Sequence, residues 1–361
     1  MNAVILVGGG GTRLRPLTYA VPKPLVPVLN RPLVCHIIAN LRRHGVDNVV
    51  LATSDPGIEA ALGDGSALGV SLTYSYETEP LGSGLAVKQA APRHVGAFFV
   101  CNGDVVTDLD LAGMANRHRE RAAFLSIALA SVQDPTGYGV VELGEGDRVT
   151  RFVEKPPPGE APSNWANAGT WLFEPGVLDH IPDERMDRSL EQLVFPSVIA
   201  EGLRVQGFPS DAYWMDVGTS ERYLQLHRDL LEGRIAGLLP AGIATQPLVG
   251  EACQVWQDAT ISGRVILGRG CRVGGLACVQ GPSVLGDDCV VRERALVAGS
   301  VLWSNVKVGA GAVVRDSILG DGCWVGDDAV VDGAVLANGA KVKQGVRLVP
   351  GARLEPDEVA G

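Results

Sequence analysis

The stretch Ala3-Val4-Ile5-Leu6-Val7-Gly8-Gly9-Gly10-Gly11-Thr12-Arg13-Leu14-Arg15-Pro16 runs from an unbroken apolar segment straight into four glycines. A short apolar run before such a turn signal reads as a buried strand. A glycine loop at its end lets backbone amides come close to a phosphate or a base, an approach that any Cβ would block. The loop matches neither familiar nucleotide loop. A P-loop would continue Gly-Lys-Ser/Thr, and a dinucleotide fingerprint needs Gly-x-Gly-x-x-Gly, whereas Arg13 or Leu14 stands where the last glycine should be.

The same strand grammar continues outward. Apolar runs at 3–7, 49–53, 70–76 and 97–101 read as strands. Residues 32–44 open on Pro32, carry a stripe of Ile37, Ile38 and Leu41 and stop at Gly45, so they read as the first crossover helix. This alternation predicts an α/β class with a mixed, mostly parallel, Rossmann-like sheet and flanking helices up to about residue 230.

Beyond about residue 250 aliphatic residues recur every six positions, at Ile261, Leu267, Val273, Val279, Leu285, Val291 and Val297. The register slips by one at Leu302, Val308 and Val314, again at Leu319, Val325 and Val331, and again at Leu336, Val342 and Leu348. Neither a helix nor a flat strand has that period. Three-sided coils of 18 and later 17 residues do, with one aliphatic per side stacked inward and small or glycine residues at the corners. The pattern resembles the hexapeptide-repeat left-handed β-helix, and its handedness is taken from that resemblance. Cys253, Cys271, Cys289 and Cys323 fall in the small-residue column and are expected to be packed thiols. The predicted division is a catalytic domain at 1–232, a linker at 233–250, the β-helix at 251–349 and an acidic tail at 350–361.

The chain has 361 residues and a net charge of -10, which argues against a broad nucleic-acid-binding face. Its first 46 residues nevertheless hold six Arg or Lys and no acid. Lys23 lies between Pro22 and Pro24, which predicts a stiff, extended presentation of its ammonium. The seven cysteines form no CxxC pair and no Cys/His zinc spacing, and no apolar run is long enough for a signal core or a membrane span. Reduced thiols, no membrane partner and a cytoplasmic location are expected.

The opening motif, followed by Pro22-Lys23-Pro24-Leu25, resembles that of the sugar-1-phosphate nucleotidylyltransferases, as do Leu81-Gly82-Ser83-Gly84, Asn102-Gly103-Asp104, Tyr138-Gly139-Val140-Val141, Phe152-Val153-Glu154-Lys155-Pro156, Asn167-Ala168-Gly169 and Trp214-Met215-Asp216-Val217-Gly218 in the same order. The resemblance implies the nucleotide-diphospho-sugar transferase fold and attack of a sugar-1-phosphate oxygen on the α-phosphorus of a nucleoside triphosphate. It places Arg13 on the leaving pyrophosphate, Lys23 near the α-phosphate and Lys155 on the sugar phosphate. Asp104 and Asp216 become the ligands of Mg2+. The nucleotide set it implies is Leu6, Gly8, Gly9, Gly10, Gly11, Thr12, Arg13, Lys23, Gly82, Asn102 and Asp104, and the sugar set is Gly139, Glu154, Lys155, Asn167 and Gly169.

The whole combination, with its hexapeptide tail, most resembles the mannose-1-phosphate guanylyltransferases, so GTP and mannose 1-phosphate are the expected partners. No glutamine stands between Tyr76 and Gly84, where thymidylyl and uridylyl relatives usually carry one, which favours a purine. Trp165, Thr170 and Trp171 depart from the usual pattern beside Asn167-Ala168-Gly169, so another sugar or cyclitol 1-phosphate, such as a heptose or glucose, or another triphosphate remains an alternative. A catalytically silent regulatory homologue is a second alternative. An acyltransferase in the β-helix is disfavoured, because all six histidines precede it. A homo-oligomer is expected.

Overall fold

The computed structural model describes residues 1–79, 81–91, 96–183, 189–235, 237–238, 242–243 and 246–361. Pro80 of the 79–84 segment, His94 and part of the expected 233–250 linker lie outside the described residues. In chain order the elements before the coils are β1 (Asn2–Leu6), β2 (Pro27–Val28), β3 (Arg31–Pro32), α1 (Leu33–Arg43), β4 (Asn48–Thr53), α2 (Pro56–Leu62), β5 (Ser71–Tyr76), α3 (Gly82–Ala90), β6 (Phe98–Asn102), β7 (Val105–Thr107), α4 (Leu111–Glu120), β8 (Leu125–Ser131), β9 (Gly139–Leu143), β10 (Val149–Glu154), β11 (Trp165–Phe173), α5 (Phe195–Ala200), β12 (Val205–Ser210), β13 (Trp214–Asp216) and α6 (Ser220–Glu232). The chain divides into two compact units, Met1–Gly9 with Val34–Trp214 and Gly10–Leu33 with Met215–Gly361.

The first unit is an α/β sheet. Strands β5, β4, β1 and β6 lie side by side and parallel, and β11 joins β6 in the antiparallel sense. Ala3, Val4 and Ile5 are fully buried because β1 has a strand on each side and layers on both faces. Phe98, Trp171, Phe173 and Phe195 fill the centre. Helix α1 begins at Leu33 rather than Pro32, because Pro32 is taken by a two-strand hairpin in which Pro27 pairs with Pro32, and Leu29 and Asn30 turn with φ of 47° and 61°.

The second unit is built on three parallel sheets of short strands, the left-handed β-helix. Leu267, Leu285, Leu302, Leu319, Leu336 and Leu354 stack inward on the first face. Cys271, Cys289 and Cys323 are buried in the column of small residues and Cys253 is half-buried beside it, all four as free thiols. The coils extend past both expected ends. Leu248–Val249 already pairs with Ile266 and Leu267, inside the stretch expected to be a linker. Arg353–Leu354 and Val359–Ala360 pair with Val335–Leu336 and Lys341–Val342, so residues 350–361 are a last coil and not a tail. The six-residue period in fact runs on from Leu348 through Leu354 to Ala360, while Glu355, Asp357 and Glu358 occupy exposed corners.

The outer side of the first face differs from the outer side of the second. Ile266, Val284, Val301, Ile318 and Val335 point out of the coil and are still buried, at 1–9% exposure. The corresponding second-face residues Arg272, Lys307, Trp324 and Lys341 are exposed. The first face is covered by α6 and by residues 10–33. Asn30 Nδ2 donates to the Leu285 carbonyl at 2.8 Å, Arg264 donates to the Leu231 carbonyl at 2.7 Å, and buried Trp303 donates from Nε1 to the Tyr223 hydroxyl at 3.0 Å. That hydroxyl in turn donates to the Pro27 carbonyl.

Candidate active site

The glycine loop belongs mostly to the unit of the β-helix. Leu14 and Leu17 are buried and anchor it, while Gly10, Thr12 and Arg13 stay exposed. The Gly11 carbonyl accepts from the Leu14 amide at 3.0 Å and from the Thr18 hydroxyl at 2.8 Å. Gly11 has φ +57°, and a Cβ there would lie 3.1 Å from Lys23 Cβ and 3.2 Å from Thr18 Cγ2. Glycine is thus required both by the left-handed backbone and by the close return of the Lys23 segment. Pro22 is extended, but Lys23, expected to be extended, opens a 3-10 turn, Lys23–Leu25, closed by Val26 N donating to the Lys23 carbonyl at 3.2 Å. The stiffness at Lys23 comes from this turn and not from an extended strand.

Asp216 ends β13 and stands at 16% side-chain exposure. Its Oδ2 lies 3.8 Å from the Arg13 guanidinium and accepts from Arg222 at 3.2 Å. Arg222 is a partner the sequence reading missed. Thr219 caps α6 by accepting the Arg222 amide at 3.3 Å, and this Thr-x-x-Arg cap was the signal available for placing Arg222 in the first turn.

The other expected residues, Leu6, Gly8, Gly9, Gly82, Asn102, Asp104, Gly139, Glu154, Lys155, Asn167 and Gly169, belong to the α/β unit. The Gly103 amide donates to the Leu6 carbonyl at 2.9 Å, which sets the Asn102–Asp104 turn against the end of β1. Asp104 is half-buried in the link from β6 to β7. Gly8 faces Glu77, whose Oε2 accepts the Leu81 amide at 3.1 Å just before Gly82 opens α3. Glu77 is a second residue the sequence reading did not single out.

A second cluster gathers the expected sugar residues. Strand β11 bulges between Asn167 and Trp171, with Gly169 at φ +67° and its absent Cβ 2.7 Å from Asn102 Nδ2. Asn167 Oδ1 accepts from the Gly169 amide at 3.1 Å and from Trp171 Nε1 at 2.8 Å, so the Asn167 amide nitrogen is the donor it can offer. Trp171 is fully buried against Phe195 and fixes Asn167 from behind. Of the departures beside Asn167-Ala168-Gly169, Trp171 therefore packs into the core. Trp214 instead donates to the Ala168 carbonyl at 3.0 Å and meets Tyr138 edge-on.

A Cβ on Gly139 would lie 2.7 Å from Glu154 Oε2 and 2.5 Å from Phe152 Cζ, so the glycine seats the Glu154 carboxylate. Glu154 is 3.6 Å from Lys155 Nζ. Burial pushes the Glu154 pKa up, Glu191 adds to the rise, and Lys155 opposes it. Lys155 holds φ +48°, a strained conformation for a side-chain-bearing residue, while its amide donates to the Tyr138 carbonyl at 3.0 Å.

Asp104 and Asp216 are both hard oxygen donors. Among the described residues no group of three or more His, Cys, Asp or Glu forms a metal cage. A carboxylate is the donor type taken by a divalent cation that keeps waters and substrate phosphates in its shell. A buried serine, histidine and carboxylate also line up, with His118 bonded to Ser126 Oγ at 2.7 Å and to Glu174 Oε1 at 3.2 Å. Ser126 and His118 are 1% exposed, so this set serves the core. Among the described residues no helix is long and apolar enough to cross a membrane.

A parallel-centred sheet, a glycine loop followed by cations and carboxylates at strand ends define a nucleotide-handling transferase. Residues 2–233 match the profile of the family described as nucleotidyl transferase, and residues 245–348 match that of the EIF2B subunit epsilon LbH domain. The chain belongs to the nucleotidyl transferase family and is a nucleotidyltransferase. The Mycobacterium tuberculosis mannose-1-phosphate guanylyltransferase is 38% identical over 267 residues, covering 73% of this chain and 74% of that protein. The Synechocystis UTP–glucose-1-phosphate uridylyltransferase is 32% identical, covering 88% of this chain and 86% of the relative. A crystal structure of a glucose-1-phosphate thymidylyltransferase from Bacillus anthracis, in complex with sucrose, shares the fold at TM-score 0.56 and 24% identity, over 63% of this chain and 93% of that one.

Proposed function

We propose that the protein transfers GMP from GTP to mannose 1-phosphate, giving GDP-mannose and pyrophosphate. A phosphate oxygen of the sugar phosphate forms the new bond to the α-phosphorus. The bond from that phosphorus to the β-phosphate bridging oxygen breaks, and its electron pair leaves with pyrophosphate. No protein nucleophile is needed, because the attacking oxygen is already anionic. The chain's task is to position two polyanions and neutralise them.

In this reading the amides of residues 8–12 approach the triphosphate, Arg13 takes the leaving pyrophosphate with its guanidinium fork, and Lys23 meets the α-phosphate. Lys155 holds the sugar phosphate, while Glu154 and the Asn167 amide nitrogen take sugar hydroxyls. Asp104 and Asp216 would hold Mg2+, which when bound screens phosphate charge. The observation that carries the reading is the convergence of Gly11, Lys23, Arg13 and Asp216 around one loop, with Gly11 required by its φ and by its contact with Lys23.

A second reading, uridylyl transfer to glucose 1-phosphate, is favoured by the 88% of this chain that aligns with the Synechocystis enzyme. The deciding experiment is pyrophosphate release over a matrix of five nucleoside triphosphates and several sugar 1-phosphates. GTP with mannose 1-phosphate is expected to lead, and a leading pair of UTP and glucose 1-phosphate overturns the first reading in favour of the second. Release with no pair at all sinks both. Light scattering of the same preparation reads the self-association expected from the sequence, and the seven free cysteines support a reducing, cytoplasmic setting.

A further inference from the structure

The outward column of the first β-helix face is aliphatic from Ile266 to Val335 and then ends in an arginine, since Arg353 pairs with Val335 in the next coil. That arginine stands where α6 begins. One Nη1 donates to the Arg15 carbonyl at 2.8 Å and to Ser220 Oγ at 3.1 Å, and the other nitrogen of the fork reaches Glu221 Oε1 at 3.1 Å. A single guanidinium therefore ties two chain segments. One carries Arg13, two residues before Arg15. The other carries Asp216, four residues before Ser220. Arg13 and Asp216 already meet at 3.8 Å, and the Arg13 guanidinium lies 3.0 Å from where a Cβ on Gly218 would be.

We propose that Arg353 is a positioning residue for the glycine loop: it fixes Arg15 against the start of α6 so that Arg13 is presented to the nucleotide triphosphate. The proposal rests on the reading of residues 8–18 as the triphosphate loop. Stability is not its main role. Arg353 and Glu221 have side chains 41% and 72% exposed, and ion pairs so exposed contribute little. The planar fork is what the geometry uses, because its nitrogens serve a carbonyl, a hydroxyl and a carboxylate at once, which a lysine ammonium on a flexible stem cannot reproduce with the same fixed directions.

The test uses the full chain with Arg353→Ala, Arg353→Lys and, as a control on the exposed second face, Lys341→Ala. Misplacing a binding group by about 1 Å costs up to ~100-fold, so Arg353→Ala is expected to lower kcat/KM for the triphosphate by about 10- to 100-fold. The KM for sugar phosphate should change by less than about 3-fold, as expected when one subsite alone is disturbed. Arg353→Lys should recover part of the loss, and Lys341→Ala none of it. Amide exchange without substrates gives a second readout: the alanine variant should exchange faster at residues 11–19 and unchanged at residues 48–53.

Kinetics and exchange both like those of the wild type overturn the proposal. So does an equal loss for both substrates accompanied by a lower melting temperature, which marks Arg353 as merely structural. Should the wild type release no pyrophosphate with any substrate pair, the functional reading fails, and the exchange comparison alone decides whether Arg353 orders the loop.

Discussion

Arg13 and Asp216 face each other at 3.8 Å, and the same Asp216 oxygen accepts from Arg222 at 3.2 Å. One carboxylate thus orients two guanidinium groups near the glycine loop. Asp216→Asn keeps an acceptor of the same shape but removes the charge, so pyrophosphate release should fall on the order of 100-fold or more, as for loss of one charge-stabilising group. Thermal unfolding of the variant should shift by only a few degrees, and turnover within about 3-fold of the wild type would remove Asp216 from the machinery. Chelation by EDTA should abolish release in the wild type, and added Mg2+ should restore it.

Lys155 offers a case in which stability and activity move apart. Its φ of +48° stores roughly 1–2 kcal/mol that glycine would not. Lys155→Gly is therefore expected to melt at the same temperature as the wild type or higher. Its turnover should nevertheless fall by about 100-fold through loss of the ammonium. Calorimetry and pyrophosphate release on one preparation check both halves, and a clear drop in melting temperature would contradict the strain argument.

Gly139→Ala places a methyl group 2.5 Å from Phe152 and 2.7 Å from Glu154. Overpacking of this kind costs about 1–3 kcal/mol. The displaced carboxylate should raise the KM for sugar phosphate by about 10-fold, roughly one hydrogen bond to a charged group, and leave that for triphosphate within a factor of about two. Equal changes in both constants would show that Gly139 serves the sheet and not the sugar.

Two titrations have opposite signs. Burial holds the His118 pKa below its usual 6.5, with Glu174 opposing, so below pH 6.5 the unfolded chain binds a proton that the folded chain refuses, and stability falls as the pH drops. Burial raises Glu154 above its usual 4.5, so stability is lost as pH rises through that value toward the raised one. Denaturant unfolding from pH 4 to 8 should give a shallower acid loss for His118→Asn. Glu154→Gln should remove the loss on the alkaline side, and parallel curves for variant and wild type would refute either assignment. The wild-type KM for sugar phosphate should improve over the pH range in which Glu154 ionises.

The parts of the fold that depend on local periodicity could be read from sequence. Strand β1 and its glycine loop were visible because burial on both faces demands an unbroken apolar run, and the coils because every sixth residue must point inward. The C-terminal coil was hidden by composition: Glu355, Asp357 and Glu358 suggested a tail although Leu354 and Ala360 keep the period. At the proposed site, side-chain identity singled out Arg13, Lys23, Asp104 and Lys155 as candidates, whereas the pairing of Arg13 with Asp216 depends on a contact distant in sequence. Arg222 and Arg353 look like ordinary surface charges until α6 lies on the coils. The burial of Trp171 was hidden for the same reason, since its nearness to Asn167 in sequence did not say which side of β11 it faced. The pattern offered only a partial signal for the covered face: the residue before the inward aliphatic is itself aliphatic at Ile266, Val284, Val301, Ile318 and Val335, but also at Leu296, Val313 and Val330 of the third face, which are only half-buried.

The bond from Arg353 to the Arg15 carbonyl spans 338 positions. Translation delivers the glycine loop well before its fastening. During synthesis the loop has no complete seat, so a nascent chain carries the triphosphate residues long before it can hold them in place. Termination between α6 and the last coil yields a product with every signature residue and an unfastened loop. The glycine loop and the arginine that fastens it are separated in synthesis by 338 positions.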